Sequence, residues 1–203
     1  VKICGITSLE DALLCQNCGA DGLGFIFYRK SPRYISPLEV RNISGKLSVF
    51  LTKVGVFVNE APDFINFTAE KAGLTAVQLH GEEPPEILNQ IHKPVIKSFR
   101  VKPGFDFSYL SQYEQCSILL DTYSDRAYGG TGTAFNWDIL PKDLRSNFIL
   151  AGGISSENIE KIYREIGPSA VDLASSLESS PGKKDPLKVR EFFSKMLRLK
   201  QII

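Results

Sequence analysis

Eight short runs of mostly apolar sequence recur along this chain, at 1–6, 22–27, 53–58, 76–80, 94–99, 117–121, 148–152 and 170–174. Helix-forming stretches fill most of the gaps between them. A strand that is apolar along its whole length is covered on both faces, as parallel strands are. Parallel strands joined by helices form right-handed βαβ units. Eight such units of roughly 25 residues each predict a closed α/β barrel, a (β/α)8 TIM barrel, in one domain over residues 1–203. The alternative is an open doubly wound sheet, which usually carries a glycine-rich phosphate turn after its first strand. Here that turn reads Cys4-Gly5-Ile6-Thr7-Ser8, which is no such motif.

The helices are punctuated at both ends. Ser8-Leu-Glu-Asp11 places a hydroxyl before a helix and a carboxylate three residues on, and Ser36-Pro-Leu-Glu39 is a capping box with proline at the first helical position. Pro62, Pro84 with Pro85, and Pro186 predict later helix starts, while Gly19, Gly45 and Gly73 fall where helices would end.

Composition narrows the function. The formal net charge is +1, with 43% hydrophobic and 23% charged residues, so no charge excess points to nucleic acid or a membrane surface. No apolar run approaches the length that crosses a bilayer, and no charged segment followed by an apolar one opens the chain, so we expect a cytoplasmic protein. The cysteines are Cys4, Cys15, Cys18 and Cys116. Their irregular spacing in a chain of this length predicts reduced thiols. Cys15 and Cys18 form a C-x-x-C inside a helical pattern, where the spacing puts two small side chains on one buried face. No second Cys/His pair completes a metal site, so no metal is expected.

In such barrels chemistry gathers at the C-terminal strand ends. Cys4 ends the first strand; Arg29, Lys30 and Arg33 lie beyond the second; Asn59 follows the third; Gln78 and His80 close the fourth. Arg100 follows the fifth, Asp121 ends the sixth, Gly152 and Gly153 follow the seventh, and Ser175 and Ser176 the eighth. Gly152, Gly153, Ser175 and Ser176 predict a phosphate site of open backbone N–H groups and hydroxyls, with a short helix after the eighth strand aimed at the anion. Gly129-Gly-Thr-Gly132 is either a second anion nest or a flap over substrate. Cys4 and Asp121 are the expected acid–base pair. A thiol beside cations would be held as thiolate, and an aspartate in an apolar setting would stay protonated. Gln78, His80 and Asp172 are further candidates for touching substrate. The alternative for His80 is tuning a neighbour, and for Asp172 a buried pair with Lys2 inside the barrel.

These motifs together resemble one family. Val1-Lys-Ile-Cys-Gly-Ile-Thr7, Gly24-Phe-Ile-Phe-Tyr28, Ser31-Pro-Arg-Tyr-Ile-Ser36, Val77-Gln-Leu-His-Gly81, Leu119-Leu-Asp121, Ala151-Gly-Gly153 and Pro181-Gly-Lys-Lys-Asp185 are similar, in order, to segments of phosphoribosylanthranilate isomerases of tryptophan biosynthesis. The resemblance implies an Amadori rearrangement of a small sugar phosphate without cofactor or metal; a monomer or homodimer is expected. Asp121 would be the general acid and Cys4 the general base, with Arg33 holding the anthranilate carboxylate. Relatives that act on a histidine-pathway aminoaldose typically use aspartate at the first strand, and Cys4 argues against them. The remaining alternative is a non-catalytic phosphate-binding barrel. One departure stands out. The family usually reads D-V-S-S-G-V-E after the eighth strand, and this chain reads Asp172-Leu-Ala-Ser-Ser-Leu-Glu178. Ala174 thus lacks a hydroxyl, and Ser176 replaces a glycine whose backbone could approach the phosphate closely or adopt positive φ.

Overall fold

The structure, a computed structural model, describes residues 1–122, 140 and 148–199. The eight expected strands are all present: β1 (Lys2–Cys4), β2 (Gly22–Ile26), β3 (Thr52–Phe57), β4 (Ala76–Leu79), β5 (Val95–Val101), β6 (Ser117–Thr122), β7 (Phe148–Ala151) and β8 (Ala170–Leu173). They pair in sequence order, all parallel, and β8 returns to β1 to close the barrel. The open-sheet alternative is therefore excluded. Closure is fixed by the register of Lys2 opposite Asp172 and Ile3 opposite Leu173.

Alternation along each strand splits the molecule into two regions. Ile3, Leu23, Phe25, Leu79, Leu150, Val171 and Leu173 join the hydrophobic layer between strands and helices. The opposite face of the same strands carries Lys2, Cys4, Gln78, Ser98 and Asp172, buried but polar. The interior of this barrel is thus built partly from hydrogen-bonding groups rather than from the branched aliphatic layers common in the fold.

The helices α1 (Leu9–Cys18), α2 (Pro37–Ser44), α3 (Pro62–Ala72), α4 (Ile159–Glu165) and α5 (Pro186–Leu199) cover the outside. Ser36 and Glu39 form the expected capping box. At α1, Ser8 caps the Asp11 N–H as expected, but the Asp11 carboxylate does not answer in return. It accepts instead from the Lys184 backbone N–H at 3.0 Å, 173 residues away. Gly19 and Gly73 end their helices in the left-handed region, whereas Gly45 ends α2 with φ −67°. The helix expected at Pro84 and Pro85 is a 3-10 helix, Pro85–Gln90. Pro94 lies only a few residues beyond it and disfavours helical backbone before it, so the crossover is too short for a full α-helix. Cys15 is fully buried in α1 and Cys18 half-buried, as the small-side-chain reading requires. Burial pushes the Cys15 thiol up to about 12, which suits a packing role rather than a reactive one.

No helix among the described residues is long and apolar enough to cross a membrane.

Candidate active site

The C-terminal strand ends bring most of the expected residues together. Cys4 ends β1 and shares its inward face with Lys2. The Lys2 ammonium lies 2.7 Å from Asp172 Oδ2, both buried, so the pair expected as the structural alternative for Asp172 is the one formed. The other carboxylate oxygen, Asp172 Oδ1, is buried without a hydrogen-bond partner. Burial would push the Lys2 ammonium down, but Asp172 and Cys4 more than offset it, and Lys2 is raised above its ordinary value.

Gly24 on β2 makes room for this group. A Cβ there would fall 2.7 Å from Cys4 Sγ, 3.0 Å from Lys2 Nζ and 3.1 Å from Cys4 Cα. Only a residue without a side chain lets the sulfur and the ammonium share that corner.

The state of Cys4 corrects the expectation of a lowered thiol. Lys2 and Lys184 do favour the thiolate, but burial outweighs them, with Asp172 adding to it, and the pKa is raised. Cys4 is 7% exposed, and at that depth the cost of removing charge from water dominates.

Asp121 ends the inward run of β6 and faces the same open end, with a side chain 28% exposed. His80 Nε2 stands 3.7 Å from Asp121 Oδ2. On its other side, His80 Nδ1 is 3.1 Å from Gln78 Nε2, and that amide also donates to Ser98 Oγ at 3.0 Å. With the amide donating to Nδ1, a neutral ring carries its proton on Nε2, toward Asp121. Burial, reinforced by Arg100, Lys2 and Lys97, holds His80 down at about 4, so the ring is neutral at physiological pH. Gln78 and His80 thus sit where expected, but the partner of His80 in this structure is Asp121, which matches the tuning alternative.

Arg33 is clamped. Its Nε donates to Glu178 Oε1 at 2.9 Å and Oε2 at 3.1 Å, and its Nη2 donates to Oε2 at 2.7 Å. Lys184 Nζ reaches Glu178 Oε1 at 3.0 Å and the Cys4 carbonyl at 2.7 Å. Neither Glu178 nor Lys184 stood out as a site residue in the sequence. Both lie in segments that match the family, which was the signal available. Burial would raise the Glu178 carboxyl, but Arg33 and Lys184 prevail and hold it below the usual carboxylate range.

A second buried pair was also missed. Glu83 accepts from Lys97 Nζ at 2.9 Å and from the backbone N–H groups of Asn59 and Gly81 at 2.8 Å and 3.0 Å. It ties the loops after β3 and β4 together beside His80. Nothing in the spacing of Glu82 and Glu83 distinguished the buried one.

At the proposed phosphate site, Gly152 and Gly153 both have positive φ, 85° and 65°. Asn158 braces their loop by donating to the Gly153 carbonyl at 2.8 Å. The expected short helix after β8 is a single 3-10 turn, Ser175–Leu177, with Ser175 and Ser176 half-buried. Ser176 does not need the left-handed region that a glycine could supply, because Asn59 is the one non-glycine residue with positive φ among those described. Gly129–132 lies outside the described residues. Arg29 stacks over the Tyr34 ring at 5.8 Å, and with Lys30 it lines a separate cleft of about 240 Å³ that includes neither Cys4 nor Asp121.

Comparison with known proteins identifies the family. Residues 1–195 match the family model described as N-(5'-phosphoribosyl)anthranilate (PRA) isomerase. A protein of that name from Geobacter sulfurreducens is 47% identical over 193 residues, covering 95% of each chain. The crystal structure of phosphoribosyl anthranilate isomerase from Thermotoga maritima superposes with a TM-score of 0.91 at 43% identity, over 97% of this chain and 98% of that one. A further structure of the enzyme, in complex with reduced 1-(o-carboxyphenylamino)-1-deoxyribulose 5-phosphate, gives a TM-score of 0.86 at 43% identity, over 97% of both chains. With the barrel closed and Cys4, Asp121 and Arg33 gathered at its mouth, the chain belongs to the N-(5'-phosphoribosyl)anthranilate isomerase family.

Proposed function

We propose that this protein converts N-(5-phosphoribosyl)anthranilate to 1-(2-carboxyphenylamino)-1-deoxyribulose 5-phosphate in tryptophan biosynthesis, as a cytoplasmic single-domain monomer or homodimer that uses no cofactor. The observation that carries the reading is a thiol and a carboxyl group, Cys4 on β1 and Asp121 on β6, placed at the same end of one closed barrel.

Asp121 delivers its proton to the ribose ring oxygen as the C1–O bond breaks and the anilino nitrogen lone pair forms the C1=N bond. Cys4, as thiolate, takes the C2 proton, and the released electron pair neutralises the iminium to give an enolamine. Proton transfer from the C2 hydroxyl to C1 gives the ketone. The iminium cation arises within reach of the Cys4 sulfur, and a positive charge there opposes the burial that raises the thiol. His80 keeps its Nε2 proton beside Asp121 and stabilises the carboxylate left after proton donation. Arg33 receives the anthranilate carboxylate, and Gln78, buried behind His80, holds that ring in place. Asp172 supports the site through Lys2. Gly152, Gly153, Ser175 and Ser176 receive the phosphate.

The test is turnover of phosphoribosylanthranilate by purified protein, followed by loss of anthranilate-type fluorescence, beside Cys4→Ala and Asp121→Asn. Absence of turnover in the wild type, or wild-type turnover in Cys4→Ala, overturns the reading.

A further inference from the structure

After the Ser175–Leu177 turn the chain forms a small antiparallel hairpin, β9 (Glu178–Ser180) with β10 (Lys183–Lys184), which is not part of the barrel ladder. Two of its three charged side chains turn inward and are almost wholly buried, Glu178 at 4% and Lys184 at 0% exposure, while Lys183 is exposed. Four donors converge on the Glu178 carboxylate: Arg33 Nε, Arg33 Nη2, Lys184 Nζ and, at 3.4 Å, the Gly182 N–H. Lys184 in turn holds the Cys4 and Ala174 carbonyls at 2.7 Å and 3.2 Å.

Burying this much charge is costly, and a buried pair is often no more stable than apolar replacements. Lys184 alone would neutralise Glu178. Adding Arg33 leaves the cluster with one net positive charge at the barrel mouth. The edge used is also specific. Glu178 occupies the Nε–Nη2 side of the guanidinium, which leaves the Nη1–Nη2 end for a second planar anion. The stem is fixed as well, because it crosses directly over Gly5, where a Cβ would fall 2.6 Å from Arg33 Cδ. An arginine already held in one rotamer does not lose that freedom when a ligand arrives.

We propose that Glu178 is a positioning and specificity-determining residue: by holding Arg33 side-on it offers the end edge of the guanidinium to an aromatic carboxylate, while Lys184 sets Glu178 and the Cys4 backbone in one clip. This rests on the assignment of Arg33 as carboxylate receptor. It separates from a plain charge effect by sign. Removing a negative charge beside an anion site tightens anion binding if only electrostatics matter, whereas loss of positioning weakens it.

The experiment compares dissociation constants of two ligands, reduced 1-(o-carboxyphenylamino)-1-deoxyribulose 5-phosphate and the same compound lacking the ring carboxylate. Wild type is expected to prefer the carboxylated ligand. Glu178→Gln narrows that preference by at least about tenfold, with the other ligand unchanged within about twofold. Glu178→Asp, which keeps the negative charge but shortens its reach to Arg33, narrows it too. Both raise KM more than they lower kcat. In an Arg33→Ala background, Glu178→Gln has no further effect on the preference. An unchanged or enlarged preference in Glu178→Gln overturns the proposal, as does equal weakening of both ligands, the mark of a purely structural residue. A wild type that does not distinguish the ligands overturns the Arg33 assignment, and the proposal with it.

Discussion

Lys2 and Asp172 face each other across the seam where β8 closes on β1, Nζ 2.7 Å from Oδ2, with both side chains 8% exposed. The pair sits beneath Cys4 and supplies one of the cations that favour its thiolate. Removing one partner strands the other charge in the barrel. Lys2→Met is expected to cost about 3–5 kcal/mol of stability. The double replacement with Asp172→Leu is expected to cost much less, as read from urea denaturation midpoints.

The corner shared by Cys4, Lys2 and Gly24 has no space for a methyl group. Gly24→Ala is expected to destabilise the protein by about 1–3 kcal/mol. Turnover should fall further than stability predicts, because the displaced atoms are the Cys4 sulfur and its cation. Crystallography of the variant and steady-state kinetics below its unfolding range check this.

Cys4→Ala and Asp121→Asn are each expected to lower kcat by about 10²–10⁴ while leaving the affinity for a product analogue nearly intact. Because burial raises the free Cys4 thiol, kcat/KM should keep rising with pH through neutrality into the alkaline range rather than level off near pH 7. A profile already flat at neutral pH would show that the thiol is not the titrating base.

Arg33→Ala is expected to raise KM by about 10²-fold or more with a smaller effect on kcat, as for loss of a charge-assisted bidentate contact. Initial-rate kinetics over a wide substrate range separate the two constants.

His80 carries a pH signature. Its folded value is about 4 against an ordinary 6.5. The unfolded chain therefore binds the proton first as pH falls, and stability is lost from about pH 6.5 downward until the folded value is passed. The slope attributable to this residue is at most about 1.4 kcal/mol per pH unit. Denaturation midpoints between pH 7 and pH 5 should show it, and His80→Asn should flatten it.

The apolar runs and their helical spacers already specified a closed parallel barrel, because strands buried on both faces have few other ways to be covered. The strand ends named Cys4, Asp121, His80, Gln78 and Arg33, since chain direction alone puts those residues at one rim. Lys2 and Asp172 were legible as a pair because closure makes their strands neighbours. What the sequence did not carry was who holds whom. Arg33 meets Glu178 across 145 residues, Lys184 meets the Cys4 carbonyl across 180, and Asp11 caps nothing in its own helix but accepts from Lys184. Nor did it carry the direction in which Cys4 titrates, where nearby cations suggested one sign and burial imposed the other. Local pattern determines elements and their order. Hydrogen-bond partners and desolvation depend on which distant groups end within about 3 Å and how much water remains between them, and those quantities exist only once the chain has folded.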